Sequence, residues 1–167
     1  LSRFLRSAQR AVGLDGAVDV LLTSDATLRR LNREFRGKDK ATDVLSFPAA
    51  HEAGNEHAGD LAISLQTAAR QARTQGHTLN DEVRVLLLHG LLHLAGMDHE
   101  ADKGEMAARE AELRAELRLP VGLIARVEGK QATAKALNAK DAKGRKVRKV
   151  RAKASARKVV ARKVVAR

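Results

Sequence analysis

The run Leu86-Leu87-Leu88-His89-Gly90-Leu91-Leu92-His93-Leu94-Ala95-Gly96-Met97-Asp98-His99 constrains this chain more than any other stretch. On a helix, His89 and His93 stand one turn apart on one face, with Cβ atoms about 5–6 Å apart. Two imidazoles at that separation can meet one metal ion. Gly96 permits the left-handed turn that ends a helix, so the chain can reverse and return His99 as a third ligand. Three imidazoles with a fourth position open is the arrangement of a catalytic zinc rather than a structural one. The alternative is a buried helix whose rings bond to backbone carbonyls. It must find polar partners for three of the chain's six histidines within one apolar run.

The spacing resembles HExxHxxGxxH of the metzincin zinc proteases, with Gly90 where those enzymes carry Glu. That Glu is the general base for attack on the peptide bond. Without it a zinc site remains, but ordinary proteolysis loses its proton acceptor. The motif points to a zinc hydrolase other than a standard peptidase.

Charge divides the chain in two. Of the net +12, residues 1–129 contribute 17 Lys and Arg against 19 Asp and Glu, while 130–167 contribute 15 against a single Asp, Asp141. The first part is nearly neutral, so the overall pI describes only the second. A domain over 1–129 and a basic tail over 130–167 is the expected organisation. There is no Cys, which excludes disulfides and thiolate ligands and fits a cytoplasmic location. No apolar run approaches the ~18 residues of a membrane span. The Arg-rich opening, Leu1 to Arg6, reads as the first helix of the domain, with an organelle-targeting peptide as the rival.

Along the chain, apolar spacing predicts a helix near 1–12 and a strand over 17–22. A helix over 26–35 follows, capped by Ser24 and Asp25, with Leu28, Leu31 and Phe35 as its inward stripe. A charged loop leads to a strand over 44–47 that Pro48 stops. A loop over 49–58, a strand over 61–65 and a helix over 66–75 come next. Asn80 is expected to cap the metal helix, with Asp81 and Glu82 complementing its dipole. Apolar nearly all round, that helix belongs in the middle of a domain. A last helix over 101–118 turns Met106, Leu113 and Leu117 inward. The pattern is α+β: a small mixed sheet covered by helices around a central metal-binding helix.

With RGKDKATDVLSFP (36–48) and HGLLHLAGMDH (89–99) placed, and the strand Gly59-Asp60-Leu61-Ala62-Ile63 between them, the chain resembles the YbeY-type bacterial endoribonucleases of ribosomal RNA maturation. The likeness spans roughly Asp19 to Leu117. It implies one zinc ion held by His89, His93 and His99, and cleavage of single-stranded RNA in the cytoplasm. It also implies a part in 16S rRNA 3′-end processing and ribosome quality control, with the ribosome as partner. A basic residue of the family's first motif, matching Arg36, is implicated in activity. Ala41 stands where the family usually has Pro. The chain opens at Leu1 and lacks the strand with which members usually begin, so an incomplete N-terminus is expected.

A three-imidazole zinc lowers the pKa of a bound water to about 7, or polarises a phosphoryl oxygen. Phosphodiester cleavage builds charge on the non-bridging oxygens, which an Arg guanidinium matches bidentately. Arg36 is the candidate for that role, and a surface salt bridge is its plain alternative. Lys38 and Lys40 suit RNA phosphates or simple solvation. Asp98 or Glu100, flanking His99, suits a supporting partner or substitute base. RNA's own 2′-hydroxyl and a water are both open as nucleophile. His51, His57 and His77 carry no assigned role. Two other functions stay in view: a zinc peptidase with a different base, and a non-catalytic RNA- or ribosome-binding protein that zinc merely stabilises.

The tail holds no aromatic residue, and Arg-Lys-Val-Val-Ala occurs twice in succession, at 157–161 and 162–166. A five-residue period advances about 140° per repeat on a helix and forms no stripe. Strong charge with little to bury predicts disorder. Contact with RNA phosphates is the expected role, without base stacking. A membrane-surface patch and a solubilising extension are the alternatives.

Overall fold

In the computed structural model the described residues are 1–49, 56–99 and 101–120. Their elements run α1 (Ser2–Val12), β1 (Ala17–Thr23), α2 (Asp25–Arg36), β2 (Val44–Pro48), β3 (His57–Ser64), α3 (Leu65–Gln75), α4 (Leu79–Leu94) and α5 (Glu105–Glu116). The expected boundary at 129, the tail 130–167, His51 and Glu100 lie outside the described residues.

The three strands form one mixed sheet in the order β1-β3-β2. β3 pairs parallel with β1, Val20 opposite Leu61, and antiparallel with β2, Ser46 opposite Leu61. Side chains of a strand alternate between faces, and β3 uses both. Leu61 and Ile63 pack on one side with Val83, Leu86, Leu87, Leu91 and Leu94 of α4 and Ala8 of α1. Ala62 faces the other way, against Leu45 and Leu28 of α2. The sheet is therefore covered on both faces, and α4 lies over one of them.

α4 is buried all round because a further layer covers its back. Val85, Leu88 and Leu92 meet Met106 and Leu113 of α5. Its six leucines from 86 to 94 are all buried, each worth about 1.5–3 kcal/mol of transfer energy before entropy is charged. Gly90 sets the approach to the sheet. A Cβ there would lie 2.7 Å from Leu61 Cδ2 and 3.3 Å from Ser46 Oγ, and Ser46 Oγ donates to the Gly90 carbonyl at 3.3 Å.

Several boundaries differ from expectation. The cap of α4 is Thr78, whose Oγ1 accepts from Asp81 N at 3.1 Å, and Asn80 sits inside the first turn. β3 begins at His57, because pairing with β1 starts at Ala17. Leu65 opens α3, where Ser64 Oγ accepts from Thr67 N at 3.2 Å. α5 starts only at Glu105, since the Asp102 carboxylate accepts from Gly104 N and Met106 N and holds the preceding residues in a turn. Phe35 is not inward: it is 61% exposed. α1 packs as part of the domain, with Ala8 fully buried and Phe4 and Leu5 against the core. Among the described residues no helix is long and apolar enough to cross a membrane.

Candidate metal centre

His89 and His93 project from the last turns of α4. Gly96, at φ +85°, then reverses the chain, with Gly96 N donating to His93 O and Met97 N to Leu92 O, both at 3.0 Å. This satisfies carbonyls left over at the helix end and swings His99 back. The three rings converge: their centroids are 4.8, 5.2 and 5.3 Å apart, and one nitrogen of each lies within 4.8 Å of the others.

His89 Nε2 and His93 Nε2 are 3.2 Å apart. Two nitrogens bound tetrahedrally to one zinc at 2.0–2.1 Å stand about 3.3 Å apart. His89 Nδ1 lies 3.0 Å from Oε2 of Glu110, and both side chains are buried. A carboxylate only accepts, so Nδ1 carries the proton and Nε2 keeps its lone pair. Burial, then repulsion from His89 and His99, lowers the pKa of His93 below the ordinary imidazole value; the Met97 backbone and Asp98 pull the other way. That ring is held neutral, as a metal ligand must be. His99 Nδ1 is buried with no hydrogen-bond partner among the described residues. Imidazoles at ligand spacing, one oriented by a carboxylate and one with an orphaned nitrogen, fit a cation. Imidazole donors suit zinc, and also copper, nickel and iron.

Glu110 was absent from the sequence reading, yet a signal existed. Met106, Glu110 and Leu113 share one helical stripe, and a carboxylate among core positions demands a partner. Asp98 is exposed. Of the other histidines, His77 pairs with the buried Glu82 and His57 lies 3.4 Å from Asp60.

Arg36, the last residue of α2, is exposed and lines a cleft of about 660 Å³ together with Lys38, Lys40, Thr42, Asp43 and Arg70. The structure thus brings the three histidines together, while none of them lines the cleft of Arg36.

The family model described as Endoribonuclease YbeY matches residues 1–118. A protein named Endoribonuclease YbeY from Koribacter versatilis is 58% identical over 75% of this chain and 81% of its own length. One of the same name from Solibacter usitatus is 55% identical over 77% and 84%. A solution structure from Thermotoga maritima is 31% identical, covering 70% of this chain and 82% of that one, with a TM-score of 0.48. By the extent of the family match and the identity to the Koribacter and Solibacter proteins, the chain belongs to the Endoribonuclease YbeY family.

Proposed function

We propose that this protein is a zinc-dependent endoribonuclease that cleaves single-stranded RNA in the cytoplasm, in 16S rRNA 3′-end maturation and ribosome quality control. Membership of an endoribonuclease family supports the reaction class. The observation that carries the metal dependence is the convergence of His89, His93 and His99, with Glu110 orienting the first ring. Such a cation, when bound, supplies Lewis acidity at the scissile phosphate. The chain's own residues do the rest. Glu110 fixes the tautomer of His89, burial keeps His93 unprotonated, and the exposed guanidinium of Arg36 meets phosphate charge. The tail 130–167 adds sequence-independent attraction to RNA and the ribosome.

The packing at Gly90 speaks against the peptidase alternative. The position where metzincin-type enzymes carry their base is pressed against Leu61 and Ser46, so that even a Cβ would force the Leu61 side chain to shift. The test compares zinc-loaded protein, its His93→Ala and Arg36→Ala variants, and chelator-treated protein on single-stranded RNA and on casein. RNA cleavage lost in His93→Ala and on chelation, with casein untouched, is the expected result. No turnover of either substrate by folded, zinc-loaded protein would leave the non-catalytic binding role standing instead.

A further inference from the structure

Phe35 breaks the logic of its own helix. Leu28, Leu31 and Phe35 share one stripe of α2, and burial falls along it. Leu28 is fully buried and Leu31 half-buried, while Phe35 is the most exposed large apolar side chain among the described residues. Single exposed apolar residues are common and mean little alone. Three further observations set this one apart.

The chain has only three aromatic residues, all Phe, and two of them meet here. Phe47 of β2 and Phe35 meet at a steep angle, with centroids 5.2 Å apart and planes at 71°. Phe47 packs against the Leu28–Leu45–Ala62 cluster, which gives the exposed ring a supported neighbour. Beyond that contact, most of Phe35 stays open to solvent.

The next residue in the chain is Arg36, on the rim of the basic cleft. Arg36, Lys38 and Lys40 have no carboxylate partner among the described residues. Two nearby acids, Asp39 and Asp43, are engaged elsewhere. Asp39 takes both contacts of Arg29 at 2.8 Å. Asp43, which lines the cleft, accepts from Val44 N at 3.0 Å and Gln71 Nε2 at 2.9 Å. Arg70, across the cleft, is paired with Asp25 at 2.9 Å. The surface therefore offers an exposed ring next in the chain to Arg36 on the cleft rim, and three cations unpaired among the described residues, which is the chemistry of single-stranded nucleic acid recognition: a base on the ring and phosphates on the charges.

We propose that Phe35, beside Phe47, is a base-stacking platform for single-stranded RNA whose phosphates occupy the cleft of Arg36, Lys38 and Lys40. The inference rests on the RNA-cleavage reading above and assigns Phe35 to positioning the strand, not to the bond-breaking step. No Trp or Tyr competes optically, so Phe35→Trp installs a single emitter on the platform.

The experiment uses full-length, zinc-loaded protein and a short single-stranded oligoribonucleotide. Phe35→Leu should raise KM about tenfold, the scale of one lost base–aromatic stack, with kcat unchanged, and Phe35→Trp should restore KM. Emission of Phe35→Trp should be quenched within the mixing time by the oligonucleotide, and not by an abasic ribose-phosphate chain of equal length. An unchanged KM in Phe35→Leu, as a ring that docks a protein would give, overturns the platform while wild-type cleavage keeps the nuclease reading intact. Quenching by the abasic chain overturns it too. Absence of wild-type cleavage in the same assay sinks the nuclease reading, and the platform with it. Should Phe35→Leu lose helical signal, the Phe35→Trp quenching decides the matter alone.

Discussion

Nδ1 of His89 and Oε2 of Glu110 are 3.0 Å apart in the interior, and the contact joins α4 to α5 across 21 residues of chain. The carboxylate decides which nitrogen of His89 is free to bind. Glu110→Gln keeps the shape but loses the charge, and its amide can turn a donor toward the ring. Zinc affinity should fall about 10- to 100-fold, read by competition with a chelating dye, with far-ultraviolet circular dichroism unchanged. Undiminished affinity would reduce the pair to a structural role.

Gly90 is required by packing rather than by helix formation. Ala is the better helix former by about 1 kcal/mol, yet its Cβ would enter the space of the fully buried Leu61. Overpacking costs about 1–3 kcal/mol, so Gly90→Ala should come out level or up to about 2 kcal/mol less stable. Gly90→Glu, which restores the protease pattern, adds an unpaired buried carboxylate and should destabilise by several kcal/mol. Urea unfolding measures both, and a stable Gly90→Glu protein that cleaved casein would contradict this account.

Asp25 ties the start of α2 to the start of α3. Its carboxylate accepts from Ser64 Oγ, from Thr67 Oγ1 at 2.7 Å and from Arg70 at 2.9 Å. The Ser64 and Thr67 hydroxyls, with Arg70 adding to them, hold its pKa at about 2, against 3.8 ordinarily. A depressed carboxylate pKa means the unfolded chain takes the proton first as pH falls. The stabilisation is complete above 3.8 and is lost as pH drops toward 2. Asp25→Asn should cost on the order of 1–2 kcal/mol at neutral pH, and the gap to wild type should narrow in that acid window when followed by denaturant titration.

On the proposed function, the basic tail supplies attraction to RNA and the domain supplies cleavage. Removing residues 130–167 should flatten the salt dependence of RNA binding, since each neutralised phosphate contributes a slope of about −0.7 on single strands. Basal cleavage of a short oligonucleotide should persist. A folded truncation that no longer cut it would end this division of labour.

Much of the architecture was legible because its signals are local. All five helices and all three strands follow from apolar spacing and local start and stop signals, and Gly96 announces the turn that returns His99. The start of α4 was misplaced because Thr78 and Asn80 are both competent caps, and only the bond from Asp81 N to Thr78 Oγ1 separates them. The late start of α5 turned on the Asp102 carboxylate capturing two backbone amides, a choice that helical spacing does not encode.

The sequence by itself determined that three imidazoles would be carried on one helix and the turn beyond it, because both their spacing and the glycine between them act over a single helical turn. It also determined family membership, through motifs contiguous in the chain. Only the tertiary structure decided that Glu110 orients His89, that Gly90 is filled by Leu61, and that Phe35 lies outside the core beside Phe47. These are pairings between residues 12 to 29 positions apart, set by how α2, α4 and α5 pack on the sheet and its neighbours, and no pattern of period 2 or 3.6 records which side chain will stand opposite which.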